Sequence, residues 1–209
     1  MKPKKWEDPF ENFILRSRLQ LPTGEHATIG FREKFYGQCW TLQRASDAIW
    51  RIYSPRSDAV PIRSTVRKLA ESLSRCRGDW ARVEVFIGRV RFLSNPKLMA
   101  FAKRLFRSEG RLLSMRTFAN TLLVKRPAFK HEREVRLLFI SHDDTEANGD
   151  LFSYPVNPKE LIDQVMIDPR MAESAANALK QKIKSDTGFP GEIKRSLLYS
   201  PPPTLVISL

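Results

Sequence analysis

The most apolar stretch of this chain is six residues long, and an arginine interrupts it: Val135-Arg136-Leu137-Leu138-Phe139-Ile140. A helix that crosses a bilayer needs roughly 20 predominantly apolar residues, so no transmembrane helix is expected. A short, bulky apolar run reads instead as a strand inside a protein core. With 209 residues, 42% of them apolar, the chain is long enough to build one well-buried core around such a strand. No repeat or low-complexity linker divides it, so a single domain over residues 1–209 is expected.

Alternating and helical patterns mix along the chain, which points to the α+β class: a mixed or antiparallel sheet with flanking helices. Asp8-Pro9-Phe10-Glu11 reads as a helix start, with Asp8 as N-cap, Pro9 at the first helical position and Glu11 three residues on. Residues 35–42 read as a strand, and residues 46–53 as a short helix that turns Ile49, Trp50 and Tyr53 inward. A short strand at 59–62 precedes a helix over 64–73 that Gly78 stops. Residues 82–92 alternate on both sides of Gly88, as two strand pieces around a turn or bulge. Asn95-Pro96 opens a helix with Leu98, Phe101, Ala102 and Leu105 toward the core. A helical stretch after Gly110 runs to Leu122, Pro127 closes it, and a strand over 134–140 follows. Asn148-Gly149 marks a turn. Strands at 152–156 and 165–167, a helix over 172–185 and a strand at 204–208 complete the pattern.

Two features bear on location. The basic start, Met1-Lys2-Pro3-Lys4-Lys5, is followed by no apolar stretch, so no secretory signal is predicted and a soluble, cytoplasmic protein is expected. The two cysteines, Cys39 and Cys76, form no CxxC, and His26, His131 and His142 are scattered. Neither a disulfide framework nor a metal site is indicated.

The formal net charge is +13, and it is uneven. Residues 51–93 carry 10 Lys+Arg against 4 Asp+Glu, and residues 94–136 carry 11 against 3. Residues 137–209 carry 7 against 10. Such an excess either lies on a solvated basic face or marks a phosphate-binding surface. Nucleic acid is the partner the second reading implies, with Lys97, Lys103, Arg104, Arg107, Lys125, Arg126 and Lys130 as the candidate contacts.

The sharpest local feature is residues 125–138, where cations and carboxylates crowd the entrance of the apolar strand. Alternation sends Glu132, Glu134 and Arg136 to one face. If that face lines a cleft it is a polar constellation of catalytic type; if it faces solvent, its ion pairs contribute little. A second feature is the aromatic set Tyr36, Trp40, Trp50 and Tyr53 around Ser46-Asp47. These rings could stack a base or a nicotinamide, or simply pack in the core. No Ser/His/Asp order, P-loop or Gly-rich fingerprint occurs, which excludes classical hydrolase, nucleoside-triphosphatase and Rossmann readings. An Asp/Glu cluster for two-metal nuclease chemistry is missing as well.

Trp6-Glu7-Asp8-Pro9-Phe10-Glu11, Cys39-Trp40-Thr41-Leu42, the helix Ala48-Ile49-Trp50-Arg51-Ile52-Tyr53, and residues 128–137 together resemble a large bacterial family known as a domain of unknown function. Its pattern is N-D-P-F-E, C-F-S, M-W-x-x-Y and F-x-x-E-x-E-x-R. The chain is similar too to the abortive-infection AbiGi proteins, and the resemblance implies a role in phage defence. A more distant likeness, carried by residues 46–53, Glu134-Val135-Arg136-Leu137-Leu138 and Pro158-Lys159-Glu160-Leu161-Ile162, is to DarT-type ADP-ribosyltransferases. That likeness implies an ADP-ribosyltransferase-like fold, NAD as cofactor, and Glu134, then Glu132, with Arg136, as catalytic residues. The carboxylate would stabilise an oxocarbenium-like state as nicotinamide leaves. Tyr36, Trp40, Ser46 and Tyr53 are the implied cofactor contacts. Family members carry a strand and a helix ahead of N-D-P-F-E, so that element is expected to be missing here or supplied by a protein partner in a defence complex. Two functions follow: a toxin-type effector acting on nucleic acid or a nucleic-acid-bound target, or a non-catalytic nucleic-acid-binding or assembly subunit.

Overall fold

The computed structural model describes residues 1–6, 8–20, 23–44, 46–75, 83–107, 114–141 and 147–202. In chain order its elements are α1 (Phe13–Arg16), β1 (Arg18–Gln20), β2 (His26–Thr28), β3 (Phe35–Thr41), α2 (Asp47–Tyr53), β4 (Ile62–Arg63), α3 (Val66–Arg75), β5 (Val83–Arg89) and β6 (Arg91–Phe92). They continue with α4 (Asn95–Arg107), α5 (Met115–Thr121), β7 (Val124–Lys125), β8 (Glu134–Ser141), β9 (Ala147–Asn148), β10 (Leu151–Phe152), α6 (Pro158–Leu161), β11 (Gln164–Ile167), α7 (Glu173–Thr187) and β12 (Glu192–Arg195). Short 3-10 turns lie between several of them, among them Pro127–Glu132 ahead of β8. The class is α+β. Gly78, Gly110, Cys76, His142 and the strand expected at 204–208 lie outside the described residues.

Where one domain is expected from length, the described residues gather in two compact units. Unit 1 comprises Met1–Gln43 and Leu73–Pro155; unit 2 comprises Arg44–Ser72 and Val156–Leu209. Each unit is assembled from segments remote in sequence, so no linker marks the division. Unit 1 carries 23 Lys+Arg against 14 Asp+Glu, and unit 2 carries 13 against 9.

Unit 1 is built on the antiparallel sheet β3-β8-β5, with the apolar strand in the centre. Every residue of β8 is buried. One face carries Glu134, Arg136, Leu138 and Ile140 of β8 and, directly opposite them in β3, Thr41, Cys39, Gly37 and Phe35. Directly opposed residues of an antiparallel pair point to the same face. Phe35, Leu138 and Ile140 pack there with Leu15, Ile29, Phe118, Ala119 and Leu122. The other face carries Val135, Leu137 and Phe139 with Tyr36 and Trp40. Phe152 of β10 lies 5.5 Å from Tyr36 and 5.4 Å from Phe139, ring centre to ring centre.

Two glycines let the first face close. A Cβ on Gly37 would stand 2.4 Å from the Trp6 ring, and one on Gly88 would stand 2.2 Å from Leu123. The alternation suggests a turn or bulge at Gly88, and neither forms there. This glycine runs inside β5 opposite Arg136, and the break falls at Val90, between β5 and β6.

Unit 2 holds a smaller sheet, β12-β11-β4, in which β11 pairs β12 parallel and β4 antiparallel. Its core is Val165, Ile167, Ala176, Phe189 and Ile193, with Leu179 and Ile183 of α7 against it. Ser46 caps α2 as its sequence position predicts, accepting the Ile49 N–H at 3.4 Å. Trp50 points inward at 2% exposure, but Tyr53 is 58% exposed.

The helix start expected at Asp8 does not form. Residues 8–12 are turns, and α1 begins only at Phe13. Asp8 accepts the Phe10 N–H at 3.0 Å, an Asx turn, and its carboxylate pairs with Arg126 at 2.9 Å. Glu11, read as a capping residue, is drawn into the core instead.

Candidate functional site

The entrance of β8 is neither an open cleft nor a solvent-facing strand. Arg136 is 0% exposed, Glu134 4%, Glu11 5%, Lys125 7% and Glu132 9%. The Arg136 guanidinium donates from Nε to Glu134 Oε1 at 2.7 Å and from Nη2 to Glu134 Oε2 at 2.9 Å. Its Nη1 donates to the Leu122 carbonyl at 2.7 Å, and Nη2 also reaches Glu11. The Trp6 ring closes over it at 4.2 Å. Lys125 Nζ lies 2.6 Å from Glu132, 3.0 Å from Glu11 and 3.6 Å from Glu134, with the Phe129 ring at 4.4 Å.

Burying charge is costly unless partners replace water, and here each ion is another's partner. Burial alone would raise the Glu134 pKa, but hydrogen bonds and charge from Arg136 hold it below the ordinary carboxylate range. Burial works against protonated Arg136 and Lys125 too. The carboxylates outweigh it and raise both. Two cations thus face three carboxylates, Glu11, Glu132 and Glu134.

Glu11 is the member that sequence reading missed as a site residue. Its role depends on a partner 125 positions away, which local spacing cannot reveal; the only signal was its place in the N-D-P-F-E-like motif. Glu132 arrives differently from the strand alternation expected of it. It ends a 3-10 turn, Arg133 turns left-handed at φ 44°, and Lys125 holds Glu132 beside the strand.

The candidate cofactor contacts are dispersed. Tyr36 and Trp40 sit in unit 1 on the face of the sheet opposite Glu134 and Arg136. The period-two alternation of the strand decides this: residues 36 and 40 share a parity, and pairing places it against Val135 and Phe139 rather than against Arg136. Ser46 and Tyr53 belong to unit 2, where Ser46 is occupied in capping α2.

The candidate nucleic-acid contacts divide into two groups. Lys125 is a correction: it is buried among three carboxylates and does not present its charge to a polyanion. Arg126 is half-buried between Asp8 and the Phe10 ring, 4.6 Å away. In contrast, Lys97, Lys103 and Arg104 of α4 and Lys130 are exposed, and no carboxylate pairs with them among the described residues. The Arg107 side chain lies outside the described residues. Leu98 anchors the inner side of α4 at 0% exposure. Seven residues are nearly two helical turns, so Lys97 and Arg104 share one line along the outer side while Lys103 stands about a third of a turn around.

Among the described residues no helix is long and apolar enough to cross a membrane. No family model, curated protein or solved structure matches this chain.

Proposed function

We propose that this protein is a non-catalytic nucleic-acid-binding subunit that meets phosphate backbones through unit 1. The observation that carries this reading is the division of the unit's cations. Arg136 and Lys125 neutralise carboxylates inside the core, whereas Lys97, Lys103 and Arg104 face solvent along one helix without a partner among the described residues. Exposed, unneutralised Lys and Arg contribute to polyanion binding by releasing counterions. The motif resemblance adds a setting, bacterial phage defence, in which such a subunit serves a larger complex.

A transferase reading asks Glu134 to hold a ribose hydroxyl. Both of its oxygens already accept from Arg136, with 4% of the residue exposed, so the binding reading is preferred. Affinity for an RNA or DNA oligomer should fall steeply between roughly 50 and 200 mM salt. Reversing Lys97, Lys103 and Arg104 to Glu should lower the slope of log K against log salt by about 2 to 3. Tight binding that ignores salt, or transfer of label from NAD by the wild-type protein, would overturn the reading.

A further inference from the structure

A groove of about 520 Å³ opens in unit 1, lined in part by Asn12, Arg16, Arg18, Thr28, Arg32 and Glu33. That size falls within the roughly 300 to 1,000 Å³ of small-molecule sites. None of these residues belongs to α4 or to the buried ion cluster.

Two independent features of the lining call for a ligand. The first is charge. Arg32 lies 3.7 Å from Glu33, and Lys4, at the edge of the same groove, lies 3.1 Å from it. Arg16 and Arg18 are exposed and have no carboxylate partner among the described residues. The second is Asn12. Only 4% exposed, it donates from Nδ2 to the Pro3 carbonyl at 2.5 Å, and that bond fixes which end of the amide is oxygen. Its buried Oδ1 receives no hydrogen bond. Buried acceptors almost always have a donor, so a donor from outside the chain would complete this one.

The two features specify complementary parts of one molecule. Guanidinium forks match phosphate oxygens, and a threonine hydroxyl can add a further donor. Asn12 Oδ1 accepts, and so asks for a hydroxyl or amino group. We propose that this groove binds a nucleoside monophosphate, with Arg16 and Arg18 on the phosphate and Asn12 Oδ1 accepting from a sugar hydroxyl or a base amino group. The site is separate from α4 and does not depend on the nucleic-acid reading.

The test uses the full chain, with AMP, GMP, CMP and UMP as ligands and inorganic phosphate and adenosine as controls, followed by calorimetry and thermal melting. At least one nucleotide should bind saturably, raise Tm, and bind at least about tenfold more tightly than either control, since each control lacks half of the recognised groups. Arg16→Ala with Arg18→Ala should weaken it by about tenfold or more while leaving the circular dichroism spectrum unchanged, because both side chains are exposed. Charge reversal on α4 should leave it unaffected, which separates failure of this site from failure of the other. A 5′-phosphorylated oligonucleotide that competes better than the mononucleotide would identify a strand end as the source; weaker competition would identify the free nucleotide. The proposal falls if no nucleotide binds saturably, if inorganic phosphate alone binds as well, or if the double variant binds unchanged.

Discussion

In unit 1 a fully buried arginine, Arg136, sits at the centre of the charge network, bonded to two carboxylates and one carbonyl. In unit 2 the arrangement is inverted: the carboxylate is at the centre and its arginine is at the rim. Asp168 is 0% exposed and accepts from the Arg170 backbone N–H at 2.8 Å, from Nε at 3.0 Å and from Nη2 at 2.7 Å. Arg170, its side chain 21% exposed, also donates to the Trp50 carbonyl at 3.0 Å and to that of Ser54 at 2.5 Å. Asp168 and Arg170 lie within one turn but are tied to Trp50 and Ser54 more than a hundred positions away. The Arg136 network joins three stretches of unit 1: Trp6 and Glu11, Leu122 and Lys125, and Glu132, Glu134 and Arg136 itself. The two arrangements tolerate different losses. Removing the central Asp168 leaves Arg170, a charge that water can reach; removing Arg136 leaves buried carboxylates that water cannot.

The largest effect should therefore come from Arg136→Met. Breaking a buried network by removing one partner costs about 3 to 5 kcal/mol, enough to consume a large part of a domain's stability. Hydrogen exchange should show protection lost in β3, β5 and β8 while β11 and β12 keep theirs. Equal loss in both sheets would mean that the two units unfold as one.

Asp168→Asn comes next, at about 1 to 3 kcal/mol, since hydrogen bonds to a charged acceptor are weakened rather than all removed. It should also change the pH profile. Burial would raise the Asp168 pKa, but hydrogen bonds from Arg170, then Ser54, hold it down to about 2. A carboxylate whose folded pKa is depressed contributes stability above its unfolded pKa of about 4 and loses that contribution as pH falls through the folded value. Glu134 shifts in the same direction. Stability measured by denaturant titration should thus fall from about pH 4 toward pH 2. In Asp168→Asn the part of that fall owed to Asp168 should disappear.

Glu134→Gln should cost less, about 1 to 2 kcal/mol, because Arg136 keeps Glu11 and the Leu122 carbonyl. The variant should stay folded and bind nucleic acid as the wild type does. Loss of a biological effect in this well-folded variant would return attention to a catalytic carboxylate. The smallest change in stability, within about 0.5 kcal/mol, belongs to Lys97→Glu with Lys103→Glu and Arg104→Glu. These residues are exposed, so chemical denaturation should be nearly unchanged while the salt-dependent binding falls.

Several elements were legible from local pattern. The strand at 35–42, the capped helix after Ser46, the amphipathic helix after Asn95, the strand entered at Glu134 and the helix over 172–185 each follow from periodicity and punctuation within one stretch. The hydrogen-bonded turn at Asn148-Gly149 does too, with Gly149 at φ 61°. The failures share a cause. Asp8 and Glu11 have good capping chemistry, but Arg126 and Arg136 compete for their carboxylates from more than a hundred positions away. The strand at 152–156 is shorter than its pattern, ending at Phe152, where the β9–β10 hairpin pairing stops.

Local pattern is enough to place a buried strand carrying an arginine at residues 134–140 and to turn the cations of α4 outward. Both are consequences of alternation or helical period acting within a few residues. Long-range packing decided which face of that strand meets Trp6 and which meets Phe152, and that Lys125 is neutralised while Lys103 has no carboxylate partner among the described residues. It also decided that Asn12 is buried with an acceptor unsatisfied beside two exposed arginines. A side chain's charge is written in the sequence, but its partners are set by which segments pack against it, and those segments come from anywhere in the chain.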